Sequence, residues 1–199
     1  MPRRSRAPSG RRRTSPELIP RTAVFLFDHK SCEKRALALL RRLPPLHGDP
    51  VVISTVRGLR DRHGPVHAGA FLRQRRIAFD CARPEFPRVF VHELFHFVWL
   101  RAGNAVRLAF VNLLRLEWQG GARGELGWSA EWRKAALGKS DVRRRTRRWR
   151  EYCCESFSDT AAWLYSGAAR HEEFTLERRS RLLRRAWFRK TVESRSLSI

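Results

Sequence analysis

The sequence predicts an α+β fold: a small N-terminal sheet, mixed or antiparallel and including a hairpin, packed on one buried helix, with further helices after it. Three observations lead there. Short β-branched or apolar runs cluster in the first 81 residues. The run 89–100 has the length of a helix but almost no polar face, so it should lie inside the protein. Beyond it, the segments with a clear apolar period all read as helices.

Residues 1–21 hold Arg, Pro and Ser with little apolar content and should form a disordered basic tail. Residues 22–27 are a short β-like run. Residues 31–43 carry Ala36, Leu37, Leu39, Leu40 and Leu43 on a helical period, with Ser31 as N-cap and Pro44-Pro45 as the stop. Residues 51–56 are β-branched, hence a strand, and 58–64 form a charged connection. Residues 66–71 and 77–81 flank a polar turn at 73–76, which suggests a hairpin. Pro87 suits the first turn of the buried helix, and Gly103-Asn104 ends it. Residues 106–118 read as a helix, 119–127 as a glycine-rich loop, and 128–137 as a short helix. Ser140 or Asp141 should cap a long helix running to about Ser166, stopped by Gly167. Residues 174–190 complete the chain as a basic amphipathic helix. Residues 22–199 are expected to be a single domain.

The chain has 199 residues, 7 Trp and a net charge of +23. That supports one core and invites an anionic partner, although the heavy use of Arg over Lys is also what GC-rich coding gives. Cys32, Cys81, Cys153 and Cys154 are too few and scattered for a secreted disulfide framework, so reduced thiols in the cytoplasm are expected. Residues 23–27 are too short for the apolar region of a secretion signal, and 89–100 too short to span a bilayer. No membrane association is expected, and the oligomeric state is not readable.

The chemistry centres on His92-Glu93-Leu94-Phe95-His96. On a helix, positions i and i+4 lie nearly above one another, so His92 and His96 can share one tetrahedral Zn²⁺. Glu93 sits about 100° further round, placed to act on a water without ligating. Chance gives roughly 0.02 such matches in a chain of this composition. Two satisfied core histidines are the plain alternative.

A catalytic zinc takes three protein ligands, so a third donor is needed. His29, His47, His63, His67 and His171 remain, with the carboxylates. No histidine follows closely after His96, which argues against the metzincin pattern. Glu155 and Asp159 are again i, i+4, flanked by Phe157, Ala161, Ala162 and Trp163 on an apolar helix. A buried acid pair repels itself unless a cation or donor lies between them. Zinc on Glu155 and a histidine N–H on Asp159 would meet that need. A surface pair offsetting nearby Arg is the alternative.

His92-Glu93-x-x-His96 followed by Glu155-x-x-Ser158-Asp159 resembles the gluzincin, thermolysin-like metallopeptidases. The resemblance covers roughly residues 51–167. It implies a zincin-like domain with zinc on His92, His96 and Glu155, Glu93 as general base, and Asp159 hydrogen-bonded to His92. Glu155 follows His92 by 63 positions, more than twice the usual interval, and Cys154 stands where Asn commonly precedes the glutamate. About 104–140 would then be an insertion between the two zinc helices. The ImmA/IrrE-like regulatory peptidases are comparably distant, so the resemblance reaches the superfamily only.

The expected activity is hydrolysis of a peptide or protein, with Tyr152 as oxyanion donor and His171 behind it. An edge strand, 68–71 or 77–81, could bind extended substrate by β-addition. Trp99, Trp118, Trp128 and Trp132 are expected in the core. Two other readings stand beside this one. A DNA-associated regulatory peptidase would use the Arg-rich surface, including 1–21 and 143–148, to bind nucleic acid. A non-catalytic module would use zinc only to hold its fold.

Overall fold

A computed structural model describes residues 24–61, 64–66, 68–79 and 84–199. The expected tail 1–21, the candidate ligands His63 and His67, and Cys81 lie outside the described residues. Strand β1 (Phe25–Phe27) leads into helix α1 (Lys30–Leu40), which starts one residue before the expected cap Ser31. After β2 (Leu46–His47) comes β3 (Val51–Thr55), where Val51 and Ile53 are buried and Val52 is exposed. That alternation marks a strand with one face on the core.

Residues Arg60–Asp61 (β4) and Gly64–Pro65 (β5) pair as a small antiparallel ribbon. The expected hairpin forms from β6 (Ala68–Phe71) and β7 (Arg76–Phe79), joined by a 3₁₀ turn at Leu72–Gln74. The four-stranded sheet runs β1-β3-β7-β6, parallel except for the antiparallel edge strand β6. The sheet is therefore mixed, and among the described residues the hairpin strand β6 has a free edge.

Helix α2 (Phe86–Arg101) lies on this sheet, with Phe86 and Phe90 against Phe79 and Phe25 at ring separations of 4.8 to 6.3 Å. Gly103, at φ +75°, turns the chain directly into α3 (Gly103–Gln119). Helix α4 (Trp128–Ala135) follows the glycine-rich loop. The single long helix expected from residue 140 is two: α5 (Lys139–Arg144) and α6 (Arg147–Tyr165). The break lies at Arg145, in the left-handed region with φ 50°. Asp141 does not cap a through-running helix. Its carboxylate instead accepts from the Gly138 N–H at 3.0 Å and the Thr146 hydroxyl at 2.6 Å, clamping the break.

Helix α7 (Arg178–Thr191) starts four residues later than the periodicity suggests. The N–H groups of Thr175, Leu176 and Glu177 are committed to carbonyls of Glu125 and Arg123 at 2.8 to 3.0 Å, so that stretch is extended. Strand β8 (Leu197–Ser198) pairs in parallel with β2 and brings the C-terminus back to the N-terminal half. One apolar core runs from the sheet through α2 and α6 to α7. Trp99 belongs to it, but Trp128 and Trp132 are 56% and 55% exposed, against the expectation of core positions. Cys32 is disulfide-bonded, against the expectation of reduced thiols, while among the described residues Cys153 and Cys154 are free. Among the described residues no helix is long and apolar enough to cross a membrane.

Candidate metal centre

Helices α2 and α6 pack through Phe95 and Trp99 against Phe157, at ring separations of 5.9 and 5.0 Å. That contact fixes the adjacent polar faces, His92 and His96 on α2 and Glu155 and Asp159 on α6. The Nε2 atoms of the two histidines lie 3.1 Å apart, and Glu155 Oε2 lies 3.3 Å from His92 Nε2 and 3.9 Å from His96 Nε2. Ligand atoms about 2.0–2.1 Å from a tetrahedral ion sit about 3.3 Å from each other, so these spacings suit one shared cation. Proton bookkeeping agrees. Asp159 Oδ1, 2.7 Å from His92 Nδ1, holds a ring hydrogen on that nitrogen, so Nε2, which faces another nitrogen and a carboxylate, is the atom left to ligate a cation. His92, His96 and Glu155 could hold a metal ion.

The supporting contacts come from the segment between α2 and α6. Asp159 Oδ2 accepts the Ala130 N–H at 3.1 Å, so the positive end of α4 faces this buried carboxylate. Gly127, just before α4, has room for no side chain: a Cβ there would stand 2.3 Å from the Asp159 carboxyl carbon. Arg133, also on α4, pairs with Glu155 Oε1 at 3.1 Å and leaves Oε2 facing the histidines. The second histidine is oriented differently, its Nδ1 lying 3.3 Å from the Cys154 sulfur and 3.5 Å from the Ser158 hydroxyl.

Electrostatics follow the geometry. Burial alone would depress the His92 imidazole, but the Asp159 carboxylate beside it raises it well above its ordinary range. Burial and the neighbouring His92 push His96 down to about 4. Burial disfavours the Glu155 anion, yet the two histidines and Arg133 overcome it and hold Glu155 at about 2. Glu93 moves the other way, raised to about 7 by burial and by the Glu155 charge, against a hydrogen bond from the Ala70 backbone. That donor belongs to edge strand β6, so the free sheet edge and the Glu93 carboxylate adjoin.

The expected oxyanion donor Tyr152 is turned away from this centre. Tyr152 is fully buried and donates to Glu125 Oε1 at 2.6 Å. Glu125 also meets Arg184 at 2.7 Å and Lys134 at 3.2 Å, and Arg184 meets Glu117 at 2.7 Å, a closed buried network. Tyr152 and Ser156 are i, i+4 on the side of α6 turned to Glu125, whereas Glu155 and Asp159 face α2. A rotation of about 60° around the helix separates the two roles. His171 Nε2 is bound to Glu85 at 3.0 Å, near the start of α2.

Sequence reasoning gave no site role to Gly127, Ala130, Arg133, Ser158 or Cys154. Ser158 had a usable signal, since it precedes Asp159 on the helix; the α4 residues had none, because nothing local ties them to α6. No protein-family model matches the chain, and comparison with curated proteins and with solved structures gives no match either.

Proposed function

We propose that the chain is a zinc-dependent peptidase with a zincin-like fold, of gluzincin type, acting on peptide or protein substrates. The observation that carries this reading is the convergence of three acceptor atoms from His92, His96 and Glu155 on one point, with the Glu93 carboxylate close enough to feel the charges of His92 and Glu155. Two nitrogens and one carboxylate oxygen are a zinc donor set, and three protein ligands leave a fourth position open. Zinc, when bound there, supplies Lewis acidity that acidifies a water and polarises a carbonyl oxygen.

The chain's own groups do the rest. Asp159 holds the His92 ring by its Nδ1 hydrogen, and Arg133 keeps Glu155 turned with one oxygen to the site. Glu93, with a proton affinity near neutrality, can take a proton from a water and pass it to a leaving amine. An extended substrate would pair with the free edge of β6, where the Ala70 N–H already points at Glu93.

The test is metal analysis alongside hydrolysis of an unfolded protein. Glu93→Gln should keep stoichiometric zinc and lose hydrolysis, while Glu155→Ala should lose the metal. Hydrolysis surviving in Glu93→Gln would remove Glu93 as the base, and full zinc in Glu155→Ala would remove Glu155 from the centre. Bound zinc without hydrolysis by the unaltered chain would leave a metal-stabilised binding module.

A further inference from the structure

Two shallow concavities adjoin on the face between α3 and the α5–α6 turn. Arg107 and Arg150 line one, Arg115, Lys139 and Arg143 line the other, and Arg145 lines both. They form one trough with six cationic side chains and no carboxylate in its lining. Among the described residues, no acid lies within ion-pair distance of any of the six. Asp141, the acid on α5, is turned away to the Gly138 N–H and the Thr146 hydroxyl.

Arg145 carries a second, independent signal. Among the described residues it is one of two other than glycine at positive φ, with Arg75 the other. A Cβ is disfavoured there, and helix ends of this kind normally take Gly or Asn. Arg75 has an evident reason: its guanidinium gathers the carbonyl oxygens of Asp49, Pro50 and Ile199. Arg145 contributes only its backbone, as its carbonyl accepts from Arg150 at 3.0 Å, and its guanidinium has no hydrogen-bond or ion-pair partner among the described residues. A strained backbone that holds an unused cation over a basic trough points to a ligand outside the chain.

We propose that the trough binds the phosphate backbone of single-stranded nucleic acid. Arginine forks match phosphate oxygens two at a time, and five of the six cations are Arg. Both concavities are shallow and lined by long, flexible cationic side chains, which suits a pliable single strand whose phosphates can follow them. Trp118, half-buried on its wall, offers a ring for a base to stack on. This site does not depend on the peptidase reading.

The experiment is titration of a fluorescent single-stranded oligonucleotide, DNA and RNA in separate arms, with the full chain at several salt concentrations. If all six cations engage, log K should fall with log salt at a slope of about −4, from about −0.7 per phosphate neutralised. Arg145→Gly is the decisive variant. It should leave the melting temperature unchanged or raised, because the turn relaxes, while affinity at 0.1 M salt falls about fivefold. The combination Arg115→Gln, Lys139→Gln, Arg143→Gln and Arg145→Gly should weaken binding about a hundredfold or more. An equal charge change on the exposed face of α7, at Arg178, Arg179, Arg189 and Lys190, should leave it within about threefold. Equal losses in both combinations would overturn the site in favour of diffuse charge. So would tighter binding to duplex DNA or to phosphatidylserine vesicles than to the single strand.

Discussion

Replacing Gly127 by Ala tests the centre without touching any residue expected to meet metal or substrate. Gly127 has φ −177° and ψ 150°, extended backbone that Ala adopts freely, so the effect is steric alone. The added Cβ would stand 2.3 Å from the Asp159 Cγ and Oδ1 and 2.4 Å from Oδ2. Ordinary contact needs about 1 Å more, and Asp159 is buried and held from two sides. Either the carboxylate swings away from His92 and Ala130, or α4 lifts off α6. Overpacking costs about 1–3 kcal/mol and a charged hydrogen bond about 1.5–3 kcal/mol, so a loss of about 3–5 kcal/mol is expected. At about 2–4 °C per kcal/mol for a chain of this size, the melting temperature should fall by roughly 10 °C or more. With His92 no longer oriented, zinc affinity should fall about 10- to 100-fold, read by competition with a chromogenic chelator. In an Asp159→Ala background the obstructing atoms are gone, and the same substitution should be neutral or slightly stabilising. Wild-type stability and metal affinity in Gly127→Ala, or the same loss in both backgrounds, would refute the described contact.

Two further outcomes follow from buried charges. Glu93 has its folded pKa raised from the ordinary 4.5 to about 7, so the metal-free protein loses the stability of the neutral form as pH rises through that window. Glu93→Gln, neutral at every pH, should therefore stabilise the chelator-treated protein at pH 8 and leave it nearly unchanged at pH 4.5, as measured by urea unfolding. An equal effect at both values would show that burial does not strain this carboxylate. Arg184→Ala leaves Glu117 and Glu125 buried together without their shared cation, and should cost about 3–5 kcal/mol in the same assay. A loss below about 1 kcal/mol would mean that Lys134 alone carries the network.

The helix bearing His92 and His96 was legible because two separate rules agreed: apolar residues all round it, and donors at i, i+4. Glu155 and Asp159 were legible for the same reason, since a buried helix bearing two acids on one face calls for a cation or donor opposite. Tyr152 misled because a helical wheel gives direction and not distance; about 60° was enough to turn it to Glu125. The break at Arg145 could not be read, because Arg stands where the backbone favours Gly. Strand β8 was invisible for another reason, as two residues in a parallel pair leave no periodicity. Trp128 and Trp132 show the limit of composition. Large aromatics usually go inside, but an eight-residue helix pinned by Ala130 buries too narrow a stripe to cover both.

The long interval between α2 and α6 has a structural use. An isolated helix of eight residues is not stable in water, so α4 must be held by its surroundings. Its N-terminus rests on Asp159, its Lys134 reaches Glu125, and its Arg133 reaches Glu155. Those are the same carboxylates that orient His92 and present an oxygen to the metal point, together with the one that anchors Arg184. The dependence is mutual: α4 needs the acids of α6 to form, and those acids need α4 for hydrogen-bond partners that keep them aimed while buried. Cation binding should therefore tighten α4 as well as the two ligand helices, and a slower hydrogen exchange at Ala130 on adding zinc is its expected sign. Unchanged exchange there would mean that α4 is fully ordered before the centre is filled.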